Sequence, residues 1–211
     1  MKIKDPISAL THLIGAVLSC VAVVALVIRA MEIGTPLHIL SFAVFGLSLI
    51  GLYTASTVYH IIDKPEAMAN IYRRIDHMMI FVLIAGTYTP ICLISLNGQT
   101  GYTLFAIIWA VAISGIIMKA LWINAPRWLT AGFYILMGWL VVLAIRPIIT
   151  ALPAEGFRWL FAGGIIYTIG GIIYALKWPL KNNRWFGFHE LFHIFVLGGS
   201  ACHFILVFAY I

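Results

Sequence analysis

Two histidines near the end of the chain, His189 and His193, stand at a spacing suited to metal binding. On an α-helix, residues four apart lie one above the other on a single face, so both imidazoles can point to one ion. Helices that present two histidines in this way form half of a zinc site in several protein classes. The pair alone is a weak indication, because membrane helices rich in aromatic residues also carry histidines near the lipid headgroups. The elements that position these side chains therefore decide the interpretation.

The composition is that of a membrane protein. Of the 211 residues, 63% are hydrophobic and 9% are charged, whereas soluble domains carry roughly 25% charged residues. The net charge of +6 bears on membrane orientation, and we expect no nucleic-acid partner because no basic patch with interleaved aromatic residues is present. The three cysteines lie in separate apolar segments without CxxC spacing, which favours structural thiols over disulfides or a metal cluster.

Seven apolar runs are each long enough to cross the hydrocarbon core as a helix, which takes about 20 residues. They are approximately residues 7–28, 37–62, 77–96, 102–121, 128–149, 157–176 and 186–211. The first run is too long for a cleavable signal peptide. Turn signals separate the runs, among them Gly34-Thr35-Pro36 and Asn182-Asn183, and the longest connection is predicted at residues 63–75. We therefore predict an all-α membrane protein with a single seven-helix transmembrane domain over residues 1–211.

The distribution of basic residues between the two sides predicts the orientation. The side of the N-terminus carries Lys2, Lys4, Lys64, Arg73, Arg74, Lys119, Arg127, Lys177, Lys181 and Arg184, and the other side carries Arg29, Arg146 and Arg158. We expect a cytoplasmic N-terminus and an extracytoplasmic C-terminus in the cell membrane. The cytoplasmic loops are then flanked by an interfacial belt of Trp122, Trp128, Trp178 and Trp185.

This orientation places five polar residues at a similar depth. His60 ends the second helix, with Ser56 one turn deeper on the same face, Asp76 opens the third helix, and His189 and His193 occupy the first two turns of the seventh. Three neutral imidazoles plus water suit catalytic zinc, which would lower the pKa of that water to about 7. Asp76 would then accept a proton from the water or orient it, and Ser56 would hydrogen-bond the water or a substrate carbonyl.

Simpler interpretations of these residues stay open at this point. The histidines can be interfacial residues bonded to backbone or lipid, Asp76 can be a first-turn acid paired with Arg73 or Arg74, and Ser56 can serve helix packing.

The remaining histidines and one glutamate have different expected places. His12 lies at a similar level and is expected to pack near the site without binding metal. His77, about 100° from Asp76 round a helix, is expected at the membrane interface, and Glu190 is expected to face the headgroups. His38 and His203 fall toward the outer leaflet.

Several motifs resemble one known family. They are Thr11-His12-Leu-Ile-Gly15, Ser56-Thr-Val-Tyr-His60, Asp76-His77, Ala85-Gly-Thr-Tyr-Thr-Pro90, His189-Glu-Leu-Phe-His193 and Val196-Leu-Gly-Gly-Ser200. With them the chain resembles the haemolysin III family, the bacterial branch of the progestin and adiponectin receptor superfamily, over essentially its whole length. The resemblance implies seven helices around a zinc held by His60, His189 and His193, with Ser56 and Asp76 near a water at the metal. The wider superfamily is similar to alkaline ceramidases, which suggests hydrolysis of lipid amide bonds.

Three functions compete on these grounds. The first is a zinc-dependent intramembrane hydrolase acting on amide or ester bonds of membrane lipids. The second is a membrane-lipid sensor or regulator with a structural zinc, which a closed four-ligand site would favour. A pore-forming cytolysin ranks last, because the polar cluster is confined to one end of the helices. The substrate and the oligomeric state are not predicted, and beyond these expected positions no chemical role is predicted for His12, His77 or His203.

Overall fold

The computed structural model describes residues 3–63, 65–180 and 186–211. Its α-helices are α1 (Pro6–Ile33), α2 (Pro36–Ile61), α3 (Glu66–Pro90), α4 (Gln99–Leu121), α5 (Arg127–Gly138), α6 (Ile145–Ala151), α7 (Ala154–Leu176) and α8 (Phe188–Tyr210). A π-helical turn (Ile91–Ser95) extends α3, and a 3₁₀ segment (Trp139–Ala144) joins α5 to α6. The described chain thus forms seven helical segments long and apolar enough to cross a membrane, which confirms the predicted seven-transmembrane architecture.

Proline and glycine set the connection between the first two helices. Pro36 occupies a first helical position, where its missing N–H leaves no helical bond unmade. Gly34, with φ of +82°, ends α1 in the left-handed conformation that glycine adopts without strain. The turn predicted at Gly34-Thr35-Pro36 is therefore confirmed. Outside the described residues lie the turn predicted at Asn182-Asn183, the basic residues Lys2, Lys64, Lys181 and Arg184, and Trp185 of the predicted belt.

The third helix begins earlier than its apolar run predicts. Helix α3 starts at Glu66, so the long connection predicted at residues 63–75 is wrong. Residues 67–75 mix polar side chains with good helix formers, and a helix at the depth of the headgroups needs no continuous apolar run. Asp76 consequently lies about three turns into α3, where it is buried.

The spans pack in a ring that α8 closes against α1. Each of α1, α2 and α3 packs on the next helix in the chain, α5 packs on α3, α4 and α7, and α8 packs on both α7 and α1. The spans of α2, α3 and α8 are the most enclosed, with 50%, 61% and 44% of their most apolar stretch buried against 22–28% for the other four. Polar residues on these three helices can therefore meet away from lipid.

Small residues allow the close helix contacts of this ring. A Cβ atom on Gly199 would lie 2.6 Å from the ring of Tyr167, and one on Gly46 would lie 2.5 Å from Val23. The α7–α8 and α1–α2 contacts therefore depend on glycine, as expected for membrane helices that approach closely. The three cysteines are free thiols, as the sequence predicts.

The fifth span is interrupted in the middle, and Tyr88 of α3 supports the interruption. The 3₁₀ segment Trp139–Ala144 departs from the regular α-helical hydrogen-bond pattern. The hydroxyl of Tyr88 donates to the carbonyl oxygen of Gly138 at 2.5 Å and accepts from the N–H of Val141 at 2.8 Å. Backbone groups at membrane depth need partners within the protein, and Tyr88 supplies them from a neighbouring helix.

Candidate metal centre

Three imidazoles from two helices converge at one end of the bundle. His60 lies in the last turn of α2, and His189 and His193 lie in the first two turns of α8. One ring nitrogen of each lies within 4.8 Å of the other two, so that the group could hold a metal ion. The three histidines that the sequence places at one depth are therefore also close together in the structure.

The spacing of two ring nitrogens fits a tetrahedral ion. Imidazole nitrogens bound to one zinc at about 2.0–2.1 Å lie about 3.3–3.4 Å from each other at the tetrahedral angle. The Nε2 atoms of His60 and His189 are 3.2 Å apart. Two lone pairs facing each other at this distance would repel, unless one ring carried a proton there or a cation lay between them. The donor set therefore fits a bound cation.

Asp5 fixes the ring of His60. The Oδ2 atom of Asp5 lies 3.0 Å from Nδ1 of His60, and the N–H of Asp5 donates to the carbonyl oxygen of His60 at 3.0 Å. The hydrogen bond from His60 is the main cause that lowers the pKa of Asp5 below its usual value. Because the resulting carboxylate only accepts, the ring proton sits on Nδ1 of His60, and its Nε2 lone pair is left for a metal.

Thr11 does the same for His193. The single hydroxyl proton of Thr11 is donated to the carbonyl oxygen of Ser8 at 2.9 Å. Its oxygen, 3.2 Å from Nδ1 of His193, must therefore accept a hydrogen bond from the N–H group at that nitrogen. The Nε2 atom of His193 is left unprotonated, which is the form that binds metal.

His12 packs against the three histidines without joining them. Its ring stacks on that of His193, with centroids 3.6 Å apart and planes inclined by 15°, and the ring of Tyr53 meets it edge-on at 5.1 Å. An ion bound by His193 would lie in the plane of that ring, whereas the nitrogens of His12 point along a parallel plane. The packing role predicted for His12 agrees with this geometry.

Ser56 and Asp76 share a small cavity with His189 and His193. The cavity measures about 40 Å³, room for at least one water molecule, since a water needs about 10–15 Å³. The side chains of Ser56 and Asp76 are buried, and the Ser56 hydroxyl lies beside the Asp76 carboxyl group. Among those residues Asp76 joins no ion pair, so its alternative interpretation as a surface ion-pair acid is wrong.

A larger cavity of about 550 Å³ adjoins the same group. Its walls come from the segment before α1 and the start of that helix, from α3, from the ends of α2, α4 and α7, and from the starts of α5 and α8. His60, Asp76 and His189 all line it. The three residues therefore border a cavity at the end of the bundle where α5 and α8 begin.

Two further residues make contacts that the sequence did not predict. His77 lines both cavities together with Asp76. Glu190 does not merely face the headgroups. It accepts a hydrogen bond from the Ser8 hydroxyl at 2.6 Å and another from the N–H of Gly187 at 2.8 Å. These bonds fasten the start of α8 to the start of α1.

The last two histidines lie away from this site. His203 follows His193 by about 15 Å along α8 and stacks on Tyr167, with ring centroids 5.4 Å apart. His38 lies in the first turn of α2, at the end opposite His60. Neither belongs to the metal-ligating group of the described residues.

Sequence reasoning missed Asp5 and Thr11. The available signal was their position, since Asp5 directly precedes the proline that opens α1 and Thr11 directly precedes His12. Their function depends on α1 lying beside both α2 and α8, and hydrophobic runs do not reveal which helices are neighbours.

Comparison with known proteins agrees with the motifs. A family model described as "Haemolysin-III related" matches residues 1–204. The chain is 43% identical to "Hemolysin-3" of Bacillus cereus, over 99% of this chain and 93% of the relative. It is 42% identical to "Hemolysin-3 homolog" of Bacillus subtilis, over 99% and 95%. At 25% identity it resembles "Monocyte to macrophage differentiation factor" of Homo sapiens, over 80% of this chain and 69% of that protein. The chain therefore belongs to the haemolysin III family of integral membrane proteins.

Proposed function

We propose that this protein is a zinc-dependent intramembrane hydrolase that cleaves amide or ester bonds of membrane lipids. The observation that carries the proposal is the convergence of three imidazoles beside a buried serine and a buried aspartate. Water, a carbonyl group and a metal can meet at such a place. Two cavities adjoin it, one of them large enough for part of a lipid.

The donor set favours zinc among the biological metals. Neutral imidazoles suit zinc, and catalytic zinc sites use three protein ligands and leave a position for water or substrate. Within the described chain the metal-ligating group comprises three histidines, and stacked His12 does not extend it. Bound zinc supplies a water of pKa about 7 and polarises a carbonyl oxygen.

The residues around the three histidines would orient the imidazole rings, transfer a proton and stabilise the developing charge. Asp5 and Thr11 hold the rings of His60 and His193 in the tautomer that offers Nε2. Asp76 is placed to take a proton from water and return it to the leaving amine or alcohol. Ser56, whose buried hydroxyl lies beside Asp76, can donate to the oxygen on which negative charge develops.

The proposed location is the cytoplasmic half of the cell membrane. The excess of Lys and Arg on the side of the N-terminus, 10 residues against 3 on the other side, supports a cytoplasmic N-terminus. A reporter fused after Ile211 should then report an extracytoplasmic position, and one inserted in the α7–α8 connection a cytoplasmic one. The opposite result would mean that the site lies in the outer leaflet, and it would reject the cytoplasmic position of the N-terminus.

Lipid turnover tests the function directly. Detergent-purified protein, either zinc-loaded or stripped with a chelator, is incubated with ester and amide lipids, and released fatty acid is measured by mass spectrometry. We expect release by the zinc-loaded protein alone and restoration when zinc is returned. Stoichiometric zinc without release across the panel would reject the hydrolase and favour a lipid sensor with structural zinc.

Haemolysis is not the function proposed here. The name of the Bacillus cereus relative refers to it, and a pore would need a polar path through the full thickness of the membrane. The small and the large cavity adjoin the same end of the bundle. This placement suits a lipid-binding site better than a conduction path.

A further inference from the structure

The larger cavity contains basic side chains that the proposed chemistry does not use. Lys119, in the last turn of α4, is only 1% exposed. Arg73 of α3 and Arg127, the first residue of α5, line the same cavity. We call Arg73, Lys119 and Arg127 the basic cluster.

The basic cluster has neutral partners. The ammonium group of Lys119 donates to the Thr130 hydroxyl at 2.8 Å, and the guanidinium group of Arg73 donates to the side-chain oxygen of Asn124 at 2.9 Å. Arg127 lies over two aromatic rings, those of Tyr174 at 5.4 Å and Phe188 at 5.5 Å. In the described parts of the chain, the ion pairs of lysine and arginine join Lys4 to Asp5, Arg29 to Glu32 and Arg158 to Glu155. No cation of the basic cluster is therefore paired with a carboxylate there.

Some N–H groups of the basic cluster have no hydrogen-bond acceptor among the described residues. An ammonium group has three N–H bonds, and the described residues accept one of those of Lys119. The Nε atom of Arg73 is buried without a partner among the same residues. Arg73 and Lys119 line the same cavity, so their like charges repel each other. Buried like charges cost free energy unless an anion compensates them.

None of the carboxylates that line the cavity forms an ion pair with the basic cluster in the described chain. Asp5 pairs with His60 and Lys4, and Glu190 accepts from Ser8 and from the backbone of Gly187. Asp76 lines both cavities and forms no ion pair among the described residues. An anion from outside the described chain would therefore compensate the charge of the basic cluster.

We propose that the basic cluster binds the phosphate group of a membrane lipid headgroup. Arginine presents a planar fork that matches phosphate oxygens in pairs, and lysine adds a point charge. The cavity lies at the end of a transmembrane bundle, where headgroups are the most concentrated phosphates. Its volume of about 550 Å³ falls in the range of small-molecule sites, about 300–1,000 Å³, and so suits a headgroup with its glycerol unit.

If the protein is the proposed hydrolase, this site would determine which lipids it cleaves. The binding of phosphate itself does not rest on the proposed function. In a glycerophospholipid the ester carbonyl groups lie a few bonds from the phosphate. A phosphate held by Lys119 would therefore bring an ester into the same cavity that His60 and His189 line. Lipids with a phosphate are then preferred to diacylglycerol.

Lipid binding tests the site without any turnover. Native mass spectrometry of the detergent-purified protein measures retention of phosphatidylglycerol, phosphatidylcholine and diacylglycerol, each titrated with and without inorganic phosphate as competitor. We expect phosphatidylglycerol to bind most tightly and diacylglycerol least. Loss of a charged hydrogen bond in Lys119→Gln should weaken phosphatidylglycerol binding about 10- to 100-fold, and Arg127→Gln, which alters a helix start, should act in the same direction.

Lys177→Gln is the matched control, because Lys177 is exposed at the end of α7 and does not line the cavity. Competition by inorganic phosphate would assign the site to the phosphate group, and Lys119-dependent lipid binding without competition would assign it to the whole headgroup. Equal affinity of wild type, Lys119→Gln and Arg127→Gln for phosphatidylglycerol would overturn the proposal. Zinc content is measured on each variant, so that failure of this site is distinguished from failure of the metal centre.

Discussion

Helix α8 carries three histidines that end in two different environments. At its start, His189 and His193 meet His60 of α2, and the Thr11 hydroxyl of α1 accepts a hydrogen bond from Nδ1 of His193. Farther along, His203 stacks on Tyr167 of α7, and its Nδ1 atom is buried without a partner in the described chain. The same residue type on the same helix therefore has neighbours that can complete a metal site in one place only.

The cause of the difference lies in the neighbouring helices. The start of α8 faces polar groups from the segment around the start of α1 and from the end of α2. The middle of α8 faces α7, where a Cβ atom on Gly163 would lie 2.7 Å from the ring of His203. His203 thus fills a gap left by a small residue, whereas His193 is held by a hydrogen bond. A histidine on a membrane helix becomes a candidate ligand when other helices supply both a second ligand and an acceptor.

Removal of a metal ligand should change zinc affinity more than any other substitution at either end of α8. His60→Ala should lower zinc affinity by about 1,000-fold, because one of three ligands supplies roughly a third of a binding free energy of about 10–16 kcal/mol. His203→Ala should leave zinc affinity unchanged. Metal content and competition with a chelator measure both variants. Equal loss of zinc in the two variants would contradict the division of α8 into a ligating half and a packing half.

Asp76→Asn should separate metal binding from turnover. The amide keeps the shape of the side chain but cannot take up a proton, so lipid hydrolysis should fall by about 10²–10⁴-fold. Zinc should stay bound, because the three imidazoles are untouched. Ser56→Ala should lower the rate less, since a hydroxyl contributes one hydrogen bond to the developing charge. Rate and zinc content are measured on the same preparation, and loss of zinc from Asp76→Asn would show instead that Asp76 helps to hold the metal.

The acceptors that orient the imidazoles should have an intermediate effect. Asp5→Asn and Thr11→Val should each lower zinc affinity by about 10- to 100-fold, the usual effect of losing a partner behind a metal ligand. Asp63→Asn and Thr150→Val serve as controls, because Asp63 forms no ion pair in the described chain and Thr150 bonds only its own helix there. Chelator competition gives the affinities. Unchanged affinity in both test variants would mean that the histidines need no such support.

The smallest effect is expected in the packing half of α8. The Ser200 hydroxyl joins those of Tyr53 and Tyr167 at 2.6 and 2.8 Å. Hydrogen bonds between membrane helices contribute about 0.6–1.7 kcal/mol, so Ser200→Ala should lower the free energy of unfolding by about that amount. Its zinc affinity should equal that of the wild type. Unfolding in mixed micelles measures the first quantity, and a change in zinc affinity would show that Tyr53, which also packs against His12, transmits the change to the metal centre.

Much of the architecture could be predicted because the membrane imposes it. A hydrocarbon core demands about 20 apolar residues per span, and seven such runs are visible in the sequence. Because successive spans run in opposite directions, position along each run is enough to predict that His60, His189, Asp76 and Ser56 share one level. The early start of α3 escaped this reasoning, because a helix in the headgroup region has no hydrophobic signature.

The packing order of helices could not be predicted in the same way. Asp5 and Thr11 act on histidines that are 55 and 182 residues away in the chain. Their contacts exist because α1 lies between α2 and α8. In the sequence Lys119 is only a charge that indicates orientation, and its enclosure in the wall of a cavity follows from the meeting of α3, α4 and α5.

The bond from Tyr88 to the interrupted fifth span has a consequence for biogenesis. A segment with exposed carbonyl and N–H groups is a poor substrate for release from a translocation channel into lipid, since lipid cannot hydrogen-bond them. Tyr88 belongs to the third span, which is synthesised before the fifth and is therefore already in the bilayer when the fifth emerges. When the fifth span leaves the channel, the Tyr88 hydroxyl is available to bond its free backbone groups. Insertion of the fifth span therefore depends on the third span.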